Sequence, residues 1–556
     1  MALPSFRRSR TRAALAVAAL ALALAARPSA QPTAEAPEAR PRLLVIVVVD
    51  QMRSDYLTRL GSRFSAGFRR LLDEGAVFDQ AFYPYLNTVT CAGHATIGTG
   101  ALPKTHGAIM NMWFDREAGA LRACTDDPSV TGYTYGASGP EKGHSAAALR
   151  VPTLGERLRG QWPDARVVTF SMKARSAIML AGKGGTAVTW FGPRGWQSST
   201  AFGPPRPEIT KYAASHAFTA DSSETWDRLL PIDTYTGADA GVGERPDFGW
   251  TRLFPHPLGG GTLERFRDRW EESPYSDAYL GRMAEAAVRD FQLGQRDAVD
   301  LLGVSFSATD LVGHSFGPDS HEVQDTLLRL DRTLGALLSA LDAAVGPDGY
   351  VLALSADHGV ARVPEASRAA EGRGGRVPLA VVRSTAEKAL ASLGPGPHVA
   401  RVEYTQIYLT PAARARATAA TLAPAIAALD TLQGVSSVVW NGALDDASGG
   451  VPAAIREAVR NSYDVERSGD LSVVPEEDWI LVPGPSPEGG DGTTHGTPHP
   501  YDQHVPLILF GRGVSAGHSP DRVSPADIAP SLAQIVGLPM TGVEGRPLPR
   551  PGAAAP

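Results

Sequence analysis

Three stretches, far apart in the chain, each run out of an apolar segment into an aspartate. They are LLVIVVVD ending at Asp50, LLGVSFSATDLVGH with Asp310 and His314, and YVLALSADHG with Asp357 and His358. A strand buried on both faces reads as a near-continuous Val/Ile/Leu run, which is the pattern of a parallel sheet covered by helices. Open α/β sheets bind ligands just beyond the carboxyl ends of their strands. One aspartate in that position is ordinarily a turn or cap residue. Three of them, joined by two imidazoles, bring hard and borderline donors to one sheet edge and point to a shared divalent-metal site.

The rest of the chain supports an α/β fold with a mostly parallel central sheet flanked by helices. From Leu43 strand-like runs alternate with amphipathic stretches such as FRRLLDEGAVF and LGERLRGQWPDARVVTF, the βαβ rhythm of a parallel sheet. The rhythm fails over about 191–265, which is rich in Gly, Pro and aromatics (WFGPRGWQSST, PDFGWTRLFPHPLGGG) and reads as an inserted cap near the site. It fails again over 361–485, where RVEYTQIYLT, TAATLAPAIAALDTL and VSSVVWNG predict a small α+β subdomain. Core segments are therefore expected at 43–190, 266–360 and 486–556. At 556 residues one core with insertions, or two domains, is the expected organisation.

The first thirty residues are of another kind. Four arginines between Arg7 and Arg12 precede AALAVAALALALAA, and Pro28-Ser29-Ala30 supplies small residues. This is the pattern of a secretory signal peptide cleaved after Ala30, followed by a flexible leader over 31–42. A periplasmic or secreted protein is expected, with Sec and Tat export both open. No cysteine follows the apolar stretch to carry a lipid, and no later segment approaches the length of a membrane span, so no stable membrane anchor is expected. Losing residues 1–30 removes five arginines and no acids, taking the net charge from −6 to about −11; such a surface argues against an obligate nucleic-acid partner. Cys91 and Cys124 are the two cysteines. In an oxidising compartment they can pair, and a buried thiol at Cys91 is the equal alternative.

A nucleophile is visible in NTVTCAGHATIGTG, where Thr90 opens a small-residue, helix-compatible stretch. Unpaired N–H groups and the positive dipole end of a helix favour an incoming phosphate. Threonine needs a metal or a base to take its proton, and a threonine in this position is more commonly just an N-cap. Lys173 and Arg175 follow the strand-like ARVVTFSM. In an extended segment residues two apart share a face, so the pair is expected to reach one dianionic group, the guanidinium through its planar fork; a solvated basic pair is the plainer alternative. Asn111, in HGAIMNMWFD, is on its own a turn residue.

As a set these motifs resemble the alkaline phosphatase superfamily, and within it the nucleotide pyrophosphatase/phosphodiesterases and the phosphate-irrepressible (PafA-type) alkaline phosphatases, over residues 43–545. The resemblance implies that Thr90 is the nucleophile and that Asn111, Lys173 and Arg175 bind the phosphoryl oxygens. It implies two zinc ions, one held by Asp310, His314 and His495 and the other by Asp50, Asp357, His358 and the Thr90 oxygen. Among the histidines of THGTPHPYDQH it selects His495 over His499 and His504, with Asp502 orienting the loop. His94 and His106 are expected to pack or support rather than bind metal.

The expected activity is hydrolysis of small phosphate monoesters through a phosphothreonine. The rival is a phosphodiesterase on the same scaffold, which lacks the Lys-x-Arg pair. A metal-binding secreted protein without turnover is the alternative of another class. Sulfatases need Cys or Ser followed by x-Pro-x-Arg, whereas Cys91 is followed by Ala92, Gly93, His94 and Ala95.

Overall fold

The computed structural model describes residues 1–2, 40–445 and 450–549. The expected signal peptide and its cleavage point lie outside the described residues, as does all but the end of the leader. Residues from Pro41 onward form one compact unit.

Its centre is a ten-stranded sheet. In chain order the strands are β1 (Leu43–Val49), β2 (Ala76–Ala81), β3 (Gly132–Thr134), β4 (Val167–Ser171), β5 (Ala187–Gly192), β6 (Gly195–Ser199), β7 (Asp300–Phe306), β8 (Tyr350–Ser355), β9 (Leu507–Gly511) and β10 (Gly517–Val523). Their order across the sheet is β10-β2-β9-β8-β1-β7-β4-β5-β6-β3. The five central strands from β8 to β5 are mutually parallel, and antiparallel pairings join β9 and β6 to either side. Every residue of β1, β7 and β8 is buried. In β1, Leu43, Val45, Val47 and Val49 enter one core, while Leu44, Ile46 and Val48 enter the core on the other face, as the two-residue side-chain period requires. Because β6 continues the sheet to Ser199, the stretch expected as a cap begins inside the sheet and leaves it only afterwards.

Register fixes where the strands end. Val49 of β1 lies beside Phe306 of β7, Ser305 beside Ser171 of β4, and Val48 beside Ser355 of β8. Four carboxyl ends therefore stop at one edge. Helices α1 (Thr90–Thr99), α2 (Ala174–Ala181), α3 (Ala308–Phe316) and α4 (His321–Val345) carry the chain away from that edge or pack behind it. The segment after Ser199 straps the start of α4: Trp226 Nε1 donates to Asp325 Oδ2 at 2.7 Å, and Leu229 N and Tyr235 OH donate to Asp325 Oδ1. The second insertion has its own core and a four-stranded sheet, ordered Val399–Glu403, Gln406–Leu409, Leu471–Pro475, Val435–Trp440. Its four strands exceed the two strand-like runs, RVEYTQIYLT and VSSVVWNG, of the expected α+β subdomain. Among the described residues no helix is long and apolar enough to cross a membrane.

Candidate active site

Asp50 follows β1 directly, Asp310 and His314 stand one helical turn apart on α3 beyond β7, and Asp357 and His358 follow β8. The common strand register brings them together. Among the described residues, ligand atoms of Asp310, His358 and His495 lie within 4.8 Å of one another, as do those of Asp50, Asp357 and His358. His358 thus faces both groups, a closer sharing than the clean division expected from sequence. His314 Nε2 adds to the first group at 3.4 Å from Asp310 Oδ1, and His495 Nε2 lies 3.6 Å from the same oxygen.

The imidazoles are turned to present lone pairs. His314 Nδ1–H donates to Thr493 O, His495 Nδ1–H to Thr88 O and His358 Nδ1–H to Gly359 O, each at 2.9–3.0 Å. A carbonyl on Nδ1 fixes the tautomer that leaves Nε2 free to bind metal. Asp50 Oδ1 and Asp357 Oδ2 are buried and accept no hydrogen bond. A donor set of aimed Nε2 atoms and unsatisfied carboxylate oxygens, at two adjoining points, fits a pair of divalent ions and little else.

Electrostatics carries the same message. Burial, then repulsion from Asp310 and Asp357, pushes the Asp50 carboxyl well up. Asp310 is also opposed by burial, yet Lys173 and His314 pull it well below the usual carboxylate range. Burial draws His314 down, but Asp310 outweighs it and raises the imidazole to about 9. Burial lowers His358, and burial with the neighbouring His358 and His314 lowers His495 well below the usual imidazole range, so these two rings stay neutral and able to bind metal.

Thr90 is the first residue of α1, behind an extended Val89. Its Oγ1 lies 3.4 Å from His358 Nε2. The whole of α1 is buried and presses on the Asp357 backbone, where a Cβ at Gly93 would come within 2.2 Å of Asp357 O. Only glycine permits that approach. Asn111 Oδ1 accepts from Cys91 N at 2.8 Å, which commits the amide oxygen and leaves the amide nitrogen for the site. Cys91 is disulfide-bonded to Cys124, and Cys124 N donates to Asn111 O, so the bridge ties Thr90's helix to the segment bearing Asn111.

The basic pair differs from the extended arrangement expected. Lys173 is extended, but α2 starts at Ala174 and Arg175 is on its first turn, so the two do not share a strand face. Lys173 Nζ donates to Asp50 Oδ2 at 2.6 Å and to Asp310 Oδ2, joining the two carboxylate groups. Burial lowers its pKa, but Asp310 and Asp50 more than offset that and keep the ammonium charged. Arg175 Nε is buried without a partner.

The other histidines support. His94 donates through Nδ1 to Thr90 O, lies 3.1 Å from Asp357 Oδ2 and accepts from Ser305 Oγ. His106 bonds Thr96 and Ala108, His499 donates to Pro475 O and His504 to Asp79 O. Asp502 accepts from Thr497 N and Oγ1 at 2.8 and 2.6 Å, holding the loop that carries His495. Two residues of the site have no signature in sequence. Gln51, at φ 67°, donates through its backbone N to Asp357 Oδ1 and through Nε2 to Asp310 Oδ1. Asp277 accepts from Ser307 N and Ala308 N at the start of α3, and burial raises its carboxyl to about 7.

The model of the type I phosphodiesterase / nucleotide pyrophosphatase family matches residues 44–502. The chain is 33% identical over 511 residues to a "Calcium-transporting ATPase" of Myroides odoratus, covering 89% of this chain and 92% of that one. It is 33% identical to alkaline phosphatase PhoV of Synechococcus elongatus, covering 90% of each, and 31% identical to alkaline phosphatase PafA of Elizabethkingia meningoseptica, covering 93% and 96%. The crystal structure of wild-type PafA superposes with a TM-score of 0.84 at 29% identity, over 92% of this chain and 99% of that one. With its sheet-end carboxylates and histidines in place, the chain belongs to the type I phosphodiesterase / nucleotide pyrophosphatase family and is a hydrolase of the PafA-type alkaline phosphatase class.

Proposed function

We propose that the protein is an exported phosphate monoesterase that works through a phosphothreonine at Thr90. The observation that carries this is the Lys173 ammonium at the junction of the two carboxylate–imidazole groups, within a site whose nucleophile opens a buried helix. A dianionic phosphoryl group needs more positive charge than a diester's monoanion, and Lys173 and Arg175 supply it beyond any metal.

Asp310, His314 and His495 would hold one zinc, and Asp50, Asp357 and His358 the other, with Thr90 Oγ1 beside it. When bound, such a pair supplies Lewis acidity at both the attacking and the leaving oxygen of an in-line displacement. Thr90 Oγ1 gives up its proton and attacks phosphorus, the P–O bond to the alcohol breaks, and water later attacks phosphothreonine to release inorganic phosphate. Asn111, Lys173 and Arg175 bind the equatorial oxygens, where charge resides in a loose transition state. The sequence 1–30 serves as the export signal, and the reaction strips phosphate from small organic esters outside the cytoplasm.

The family's name favours one second reading, a phosphodiesterase on the same site. The two separate by kcat/KM for a matched monoester and diester, in wild type and in Lys173→Ala/Arg175→Ala. Two charge-assisted hydrogen bonds are worth about 1.5–3 kcal/mol each, so monoester kcat/KM should fall roughly a hundred- to ten-thousand-fold while diester cleavage holds. A diester preference untouched by the double variant would move the chain to the phosphodiesterase reading.

A further inference from the structure

The second insertion meets the loop that carries His495 at the turn Tyr404–Thr405, which joins strands Val399–Glu403 and Gln406–Leu409. Glu403 pairs directly with Gln406, so this is a two-residue hairpin loop, and such loops select Asn, Asp or Gly for the residue that takes positive φ. Here a tyrosine does, with φ 49°. A bulky residue in the left-handed region is strained and persists where its surroundings hold it.

What holds it is the site. Tyr404 OH donates to the carbonyl oxygen of His495, and its ring lies against Gly496, where a Cβ would come within 2.6 Å of Tyr404 Cε1. Gly496 is itself at φ 106°, a second concession to the same contact. The next residue, Thr405, is fully buried and donates through Oγ1 to Asn87 Oδ1 at 2.7 Å. Asn87 stands three residues before Thr90, and between them Thr88 O accepts from His495 Nδ1. Tyr404, His495, Thr88, Asn87 and Thr405 form a closed ring of backbone and hydrogen-bond links. Tyr404 also packs against both the main core and the core of the insertion.

We infer that Tyr404 is a positioning residue for His495, and that the insertion serves the site by holding this turn against the loop. The inference rests on the two-ion reading above. The main sheet cannot place His495 by register, because the residue lies in a Gly- and Pro-rich loop outside any strand. Its peptide is fixed instead from outside, by a phenol whose strained backbone aims it at one carbonyl.

The test is zinc binding to metal-free wild type and to Tyr404→Phe, by competition with a chromophoric chelator. Phenylalanine keeps the ring and removes only the hydroxyl. Loss of a partner that orients a metal ligand costs about 10- to 100-fold in metal affinity. One of the two zinc ions should therefore weaken by that factor and the other should not, while the thermal midpoint of the metal-free protein drops by no more than a few degrees, the effect of one hydrogen bond. Activity lost by the variant at limiting zinc should return in excess zinc. Tyr404→Asn relieves the positive-φ strain but takes the ring away from both cores, so the metal-free protein's midpoint should fall while the same ion weakens. Equal affinities for both ions in wild type and Tyr404→Phe would overturn the assignment of Tyr404 alone. Wild type that takes up no zinc would overturn the two-ion reading together with it.

Discussion

The candidate metal ligands of the site reach it by two different routes. Asp50, Asp310, Asp357 and His358 stand one to four residues past strands that are buried on both faces and locked in parallel register. Their positions are set by covalent distance from the stiffest part of the molecule. His495 stands in a long loop, and it is placed by Thr88 O on its ring, Tyr404 OH on its carbonyl and Thr493 Oγ1 on Ala361 O beside it. A strand end needs few helpers because the sheet has already lost its conformational freedom. A loop ligand must be held by struts, and the insertion supplies one of them at Tyr404.

The largest effect that bears on this contrast comes from the sheet side. Thr90→Ala should lower kcat roughly 10⁴- to 10⁶-fold, as loss of a nucleophile that acts as a unit with its surroundings does, with monoester affinity retained. Next is the Cys91–Cys124 bridge, which ties Thr90's helix to the Asn111 segment. With its two ends 33 positions apart in the chain, replacing both cysteines by serine should cost about 3–4 kcal/mol by loop-closure entropy, read as a lower denaturant midpoint of the metal-free protein. Gly93→Ala comes third. It introduces a methyl where Asp357 O sits 2.2 Å away, and displacement of Thr90 by about 1 Å should cost roughly 100-fold in kcat, with KM little changed. An effect confined to KM would mean that α1 does not set the nucleophile's position.

The smallest effect sharpens the loop side. Burial raises the Asp502 carboxyl to about 7, outweighing the hydrogen bonds from Thr497 that oppose it. The folded state thus keeps a proton that the unfolded chain releases near the ordinary aspartate value, so stability falls as pH rises from about 4 to about 7. Asp502→Asn removes this component. The stability of wild type relative to the variant should decline across that window and level off above it, measured by denaturant midpoints in steps of pH. A difference independent of pH would show that Asp502 is ionised throughout.

The same contrast explains what could be read in advance. LLVIVVVD, SFSATD and LALSADHG announce their strands and their ligands together, because burial on both faces dictates composition and the ligand follows directly. The small-residue helix behind Thr90 is legible for a similar reason, since only small residues allow a helix to press on a strand end, but on its own Thr90 reads as an N-cap and only the family likeness made it the nucleophile. His495 is not marked off from His499 and His504 by anything local, and only the family likeness selected it. Lys173 and Arg175 were legible as a pair but not in geometry, because the strong helix formers of ARSAIMLA start α2 between them. Gln51 and Tyr404 were invisible. Each acts through a backbone conformation that its residue type disfavours and through partners that only the fold brings near.

The most direct test is acid quenching of the zinc-loaded enzyme during turnover of a ³²P-labelled phosphate monoester, followed by peptide mapping. Label on the peptide that contains Thr90, and none with Thr90→Ala, is the result expected of a sheet-end site with a threonine nucleophile. Turnover that survives in Thr90→Ala, with no label trapped on wild type, would contradict it.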